Sequence, residues 1–443
     1  MTRFTREKNA HPVDQVPPLG QLAALGLQHV LAMYAGAVAV PLIVGSAMRM
    51  SAADIGYLVS ADLLVSGVAT LIQCLGFWRF GVRLPIMQGC TFAAVTPMVL
   101  IGTTGGGLTA IYGAVIISGL LMIALSPVWG RLLRFFPPLV TGTVITIIGI
   151  SLLPVAVNWA AGGVGAPSFG APRNLALAGG VLLIILLIQR FAPPMLSRIA
   201  VLLGIVVGTL VAIPFGFTDF SGLGDAALFG VSTPFHFGLP TFEIAAIVSM
   251  VVVMLVTMTE TTGDILAVGE IVDRQPGPRE LADGIRADGL STVLGGVFNT
   301  FPYTAFAQNV GLVGLTGVRS RFVVAFGGGI LVVLGLIPIL GELVATIPTP
   351  VLGGAGIAMF GTVAASGIRT LSTVSFADNR NLIVVAVSLG IGLIPVAAPT
   401  IYDEFPLWFR TIMSSGISAG CVAAILLNIF FNHAVSESRS SST

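Results

Sequence analysis

A few polar side chains stand in otherwise apolar runs of this sequence, and they are the groups able to do chemistry. Glu260 and Asp264 form an i, i+4 pair in VTMTETTGDIL, which a helix places on one face. Asp288 sits in RADGLSTVLGG, His29 in GLQHVLAMYAG, and Gln308 and Asn309 adjoin each other in AFAQNVGLVGLTG. A carboxylate presents acceptor oxygens, and a side-chain amide presents a donor and an acceptor in one plane. Such a set complements a flat heterocycle with adjacent N–H and C=O edges. Each ionisable group has a plainer alternative. His29 could be a hydrogen-bonded core histidine, Asp264 a helix-end carboxylate near water, and Asp288 a first-turn carboxylate set against the helix dipole. Asp62 is a weaker candidate, and Asp54 reads as a helix cap. Enzyme chemistry finds no footing: HExxH does not occur, the GxSxG match at 416–420 (GISAG) lies inside the apolar span expected at 408–431 and not at a strand-to-helix turn, and no carboxylate pair of protease type is present. The cysteines Cys74, Cys90 and Cys421 lack metal or disulfide spacing and read as small core residues. No cofactor and no metal are expected.

The elements that hold these groups are set by hydropathy. The 443 residues are 55% hydrophobic and 9% charged, against about 25% charged in soluble domains, so the chain is embedded in lipid. Its net charge of +1 gives no reason to expect nucleic acid as a partner. Residues 1–16 are polar, so no cleavable leader is expected before the first span. A spanning helix needs about 20 mostly apolar residues. That rule predicts full-length spans near 20–45, 54–76, 107–127, 137–157, 174–190, 197–216, 242–266, 282–300, 321–342, 349–368, 380–397 and 408–431. Irregular passes are expected at about 84–101 and 302–318, which makes fourteen. Seventeen basic residues, from Arg3, Arg6 and Lys8 to Arg439, fall in loops on one side of this arrangement. Arg49, Arg173 and Arg410 fall on the other. The bias places both termini in the cytoplasm.

Residues 137–149 (PPLVTGTVITIIG) and 349–361 (TPVLGGAGIAMFG) share Pro, Gly and Gly at an offset of 212. A repeat of seven passes is odd-numbered, so its second copy is inverted in the membrane, and substrate sites lie where such repeats meet near the midplane. The irregular passes LPIMQGCTFAAVTPM and NTFPYTAFAQNVGLVGLTG occupy matching places in the two copies. Paired extended segments, each running into a short helix, would bury their backbone and aim two helix N-termini at the bilayer centre. Gly311, Gly314 and Gly317 recur at every third position after Gln308 and would allow close helix or ligand approach.

Gln308-Asn309-Val310-Gly311, four further residues, then Thr316-Gly317 resembles the signature of the nucleobase–ascorbate transporter family: Gln, Glu or Pro, then Asn-x-Gly, four residues, and Thr with Gly, Lys or Arg. Gln28-His29, Thr-Glu-Thr-Thr-Gly-Asp at 259–264 and Ala-Asp-Gly-Leu at 287–290 extend the resemblance over nearly the whole chain. Val310 departs from the Asn-Asn-Gly form that is commonest in purine carriers. The resemblance implies an all-α polytopic protein of about fourteen segments in a 7+7 inverted repeat, with short antiparallel strands in segments 3 and 10. It implies a core (20–135 and 242–345) and a gate (136–217 and 346–431), with cytoplasmic tails at 1–19 and 432–443, usually as a homodimer in the inner membrane. Glu260 and Gln308 would bind the base, with Phe92, Thr91 and Ala307 beside it. Asp288, tied to proton coupling, would form a network with His29, Asn309 and Asp264. The implied activity is proton-coupled uptake of a purine base, uric acid or xanthine. Gln at position 308 resembles the purine branch more than the uracil branch, and Thr91 resembles urate-type members. A uracil or pyrimidine permease is the nearest alternative, and an inorganic anion carrier of the same fold a more distant one.

Overall fold

A computed structural model describes residues 11–218 and 228–433; most of the two expected tails, with Arg3, Arg6, Lys8 and Arg439, lies outside the described residues. The first copy opens with α1 (Leu19–Ala47) and α2 (Ala52–Leu75), then strand β1 (Gln88–Cys90) and the short α3 (Val95–Ile101). It continues through α4 (Gly107–Leu125), α5 (Trp129–Leu132), α6 (Pro138–Ala160), α7 (Pro172–Phe191), α8 (Pro194–Ser197) and α9 (Ala200–Ala212). The second opens with α10 (Ile244–Ile271), α11 (Pro278–Val297), strand β2 (Tyr303–Ala305) and α12 (Ala307–Thr316). It ends with α13 (Arg321–Gly335), α14 (Pro338–Ala345), α15 (Thr349–Leu371), α16 (Asn379–Ala397), α17 (Leu407–Met413) and α18 (Gly416–Asn428).

Local chemistry sets the helix ends. Proline occupies the first turn of α6, α7, α11 and α15, where its missing N–H costs nothing. Ser51 caps α2 by accepting from the Asp54 N–H at 3.1 Å, and its hydroxyl donates to Asp54 Oδ2 at 2.7 Å. Asp54 therefore completes a cap, as its position suggests.

Among the described residues, eight helical runs are long and apolar enough to cross a membrane, or nine if α13 and α14 count as one. Three of the expected continuous spans are in pieces. The 321–342 span bends by 81° between α13 and α14, where Pro338 cannot continue the preceding helix. The 408–431 span breaks between α17 and α18, and Ser415 caps the new start. The 197–216 span is the 13-residue α9 followed by a 3-10 turn holding Pro214.

The repeat is inverted. Gly142 on α6 lies against Gly367 and Leu371 of α15, and Gly356 of α15 lies against Ala156 of α6. The partner number falls as the residue number rises, so the two related helices run antiparallel. A Cβ at Gly142 would sit 2.9 Å from Leu371 Cγ, so small residues let these backbones approach. Across the copies, α2 packs on α13 and α4 on α11, while α6 packs on α15 and α18, and α15 on α7.

Candidate functional site

β1 and β2 pair antiparallel, with Gln88 opposite Ala305, Gly89 opposite Thr304 and Cys90 opposite Tyr303. The ladder is extended by Phe306 N–H donating to Met87 O and Thr91 N–H donating to Pro302 O, both at 2.9 Å. All six strand residues are buried. That pairing satisfies extended backbone at a depth where water cannot. β1 feeds a 3-10 turn (Phe92–Ala94) and then α3, and β2 feeds α12. Two half-length helices thus start at one place. Thr91 Oγ1 caps the turn by accepting from Ala93 N–H at 3.2 Å. The ring of Phe306 is held between two glycines, since a Cβ at Gly36 would lie 2.7 Å from it and one at Gly89 2.8 Å from it.

Around this crossing the polar groups divide into satisfied and unsatisfied ones. Glu260 is half-buried on α10, and its carboxylate has no hydrogen-bond or ion-pair partner among the described residues. The same holds for Asp264 one turn on, and for the exposed amide of Gln308 in the first turn of α12. α10 and α12 pack against each other. Ala307, Gln308, Gly311 and Gly314 form an exposed row along α12, and Gly263 is exposed on α10. The row leads to the arginine-rich end, where Arg319 pairs with Asp273 just past α10. At the opposite end α10 meets α18, with the Ser249 and Ser418 hydroxyls 3.3 Å apart. The exposed row therefore runs toward the arginine-rich side, where Arg198 also donates to the Gly311 carbonyl at 3.4 Å. Phe92 is half-buried and meets Phe360 of α15 edge-on, with ring centroids 5.8 Å apart.

His29 and Asn309 are both buried, and Asn309 Nδ2 lies 3.0 Å from His29 O and 3.0 Å from His29 Nδ1. The carbonyl can only accept, so this geometry makes Nδ2 the donor to both, and the His29 ring carries its proton on Nε2. The bonds lock α12 to α1. Asn309 Oδ1 is buried without a hydrogen-bond partner among the described residues. Asp288, fully buried, accepts from Thr261 Oγ1 at 2.5 Å and from Gln73 Nε2 at 3.0 Å. Thr261 Oγ1 also lies 2.9 Å from Thr304 Oγ1 and accepts from Ala305 N–H at 3.3 Å. No hydrogen bond joins Asp288 to His29, so the single network drawn from the sequence is two clusters. One sits on the α1–α12 contact and the other on the β2 strand.

Several participants were not singled out by sequence. Gln73 bridges Asp288, Gly284 O and the Val82 N–H. Gln88, inside the ladder, is fully buried with its amide toward the Asp288 carboxyl but without a hydrogen bond of normal geometry from either amide atom; a glutamine in the apolar run LPIMQGC is the signal that marks it. Two of the three cysteines do more than pack: Cys74 donates to Ile86 O at 3.2 Å and Cys90 to Asp62 Oδ1 at 2.8 Å. The three signature glycines also differ in role. Gly311 faces open space, Gly314 makes ordinary contact with Ile271, and Gly317 ends α12 at φ +64°, the left-handed stop that glycine adopts freely. Among the described residues no cluster of His, Cys, Asp and Glu could hold a metal ion.

A sequence profile described as the Permease family matches residues 20–401. The chain is 46% identical over 430 residues to the uric acid transporter UacT of Escherichia coli (strain K12), covering 96% of this chain and 89% of that one. It is 47% identical over 413 residues to the xanthine permease of Bacillus subtilis (strain 168), covering 93% and 94%. Among solved structures, the transmembrane domain of the cyanobacterium bicarbonate transporter BicA matches with TM-score 0.62 at 16% identity, covering 94% of this chain and all of that one. The murine anion transporter Slc26a9 in its inward-facing state matches with TM-score 0.62 at 13% identity, covering 95% and 70%. Likeness at such identities is one of fold alone.

Proposed function

The chain belongs to the nucleobase–ascorbate transporter family, and from that premise we propose that it carries uric acid or xanthine across the inner membrane together with a proton. It is a multi-pass membrane transporter of purines. The observation that carries the site assignment is a pair of unpaired polar groups: the Gln308 amide in the first turn of α12, and the Glu260 carboxylate on α10 next in sequence to Thr261, which accepts from the Ala305 N–H of β2.

Glu260 accepts ring N–H bonds from one edge of the base, each worth about 1.5–3 kcal/mol when charge-assisted. Gln308 pairs with the opposite edge, Phe92 borders the ring face, and Thr91 and Ala307 line the helix starts. His29 and Asn309 hold the first turn of α12 in place, and Asp288 exchanges the coupled proton with Asp264 nearby on α10. A proton on this set offsets buried charge and makes the loaded protein easier to rearrange. Residues 20–135 with 242–345 act as the core and 136–217 with 346–431 as the gate, with both termini in the cytoplasm. In that orientation the exposed row on α12 leads toward the cytoplasm. Pairing of two copies carries over from the family.

Gln308 favours a purine over uracil, and a carboxylate at position 260 needs ring N–H donors, which an inorganic anion such as bicarbonate or sulfate lacks. The test is uptake of labelled urate and xanthine into cells or vesicles, with and without a proton uncoupler, in competition with uracil. Purine uptake that collapses with the uncoupler is expected. Uptake indifferent to the uncoupler would remove the proton, and uptake blocked by uracil alone would remove the purine.

A further inference from the structure

Asp62, on α2, has no part in the site described above, yet it is fully buried at membrane depth. Its Oδ1 lies 2.8 Å from Cys90 Sγ, 2.7 Å from the Tyr303 hydroxyl, 3.2 Å from Thr300 Oγ1 and 3.5 Å from Ser66 Oγ. Its Oδ2 is buried with no hydrogen-bond partner among the described residues. Cys90 and Tyr303 are the facing pair at one end of the two-strand ladder, so a single carboxyl oxygen ties both strands together. At the other end, where Gln88 faces Ala305, the tie runs from Asp288 through Thr261 to Thr304 and the Ala305 N–H.

The two acids are also equivalent in the repeat. Asp62 is the eleventh residue of α2, which starts at Ala52, and Asp288 the eleventh of α11, which starts at Pro278. Each stands in an Ala-Asp-x-Leu run, at 61–64 and 287–290. The inverted copies therefore place one carboxyl at each end of the strand crossing.

The charge state follows from the surroundings. The groups touching Asp62 are Cys90, Tyr303, Thr300 and Ser66, all neutral, and no ion pair reaches it among the described residues. An ionised carboxylate would leave half its charge on a bare, buried oxygen, which is costly without a cation or donors. We infer that Asp62 is a neutral, proton-bearing acid that positions the strand crossing from the end opposite Asp288, and through it Thr91 and Phe92, which directly follow Cys90. It is a positioning residue, and its functional consequence rests on the purine reading above.

The experiment compares purified parent, Asp62→Asn, Asp62→Ala and Tyr303→Phe in lipid by infrared spectroscopy and by equilibrium binding of labelled urate or xanthine. A protonated-carboxyl C=O band should be present in the parent, absent from Asp62→Asn, and displaced but retained in Tyr303→Phe. The carboxamide keeps the Oδ1 acceptor, so Asp62→Asn should bind nearly as well as the parent, whereas Asp62→Ala should bind about tenfold more weakly or worse. A parent spectrum with no Asp62-dependent band overturns the inference. So does an Asp62→Ala protein that binds as the parent does, or a folded Asp62→Asn protein that fails as Asp62→Ala does. If Asp62→Ala does not fold, the band and the Asp62→Asn binding still decide. A parent that binds no purine defeats the proposed function instead, and the spectra then judge Asp62 alone.

Discussion

Replacing Asn309 by alanine removes the two hydrogen bonds, both 3.0 Å, by which α12 is fastened to His29 on α1. Each neutral bond is worth about 0.5–1.5 kcal/mol net, so the loss is about 1–3 kcal/mol. Asn309 Oδ1 has no hydrogen-bond partner among the described residues, so deleting it forfeits nothing further. Gln308 is the preceding residue, in the same first turn, and loosening that turn should be felt in substrate affinity. Fully expressed there, the loss weakens purine binding about 5- to 150-fold. Asn309→Asp should be impaired as well, because a carboxylate oxygen would replace Nδ2 opposite the His29 carbonyl. The assay is equilibrium binding of labelled urate or xanthine to purified protein, with membrane abundance and thermal unfolding measured in parallel. Asn309→Ala protein that is folded, reaches the membrane and binds within about twofold of the parent would refute the reasoning.

Gly89→Ala should cost about 1–3 kcal/mol by overpacking, because the Phe306 ring cannot retreat from the new Cβ without meeting Gly36; thermal unfolding of the purified variant checks it. Asp288→Asn sets an NH₂ against one of two donors, Thr261 at Oδ2 or Gln73 at Oδ1, and it cannot exchange a proton. It should abolish uphill accumulation while leaving purine exchange measurable, as read by uptake and counterflow in vesicles. Thr91→Asn should raise xanthine transport relative to urate, measured by competition between the two labelled bases.

How far the sequence discloses this protein depends on what each residue contributes locally. Runs of apolar residues announce membrane spans because lipid demands them, and the strand pair is legible because LPIMQGC and FPYTAFAQ cannot form clean 20-residue helices. The bend at Pro338 and the break at Ser414 and Ser415 are harder to see, since apolar content continues across them. Unpaired groups such as Glu260 and Gln308 stand out by type. Partners do not: the separation of His29–Asn309 from Asp288–Thr261–Gln73 depends on which helices touch, and Gln73 meets Asp288 across 215 positions of sequence. Asp62 looks minor in one dimension because its donors, Cys90, Thr300 and Tyr303, arrive from two distant strand segments.

The claim on which all else rests is that Glu260 is a substrate ligand. Equilibrium binding of labelled urate and xanthine to Glu260→Gln protein tests it most directly. Exchanging two charge-assisted bonds for neutral ones removes about 2–3 kcal/mol, so affinity should fall about 30- to 150-fold in protein that is still folded and membrane-inserted. Affinity and uptake equal to the parent would contradict it.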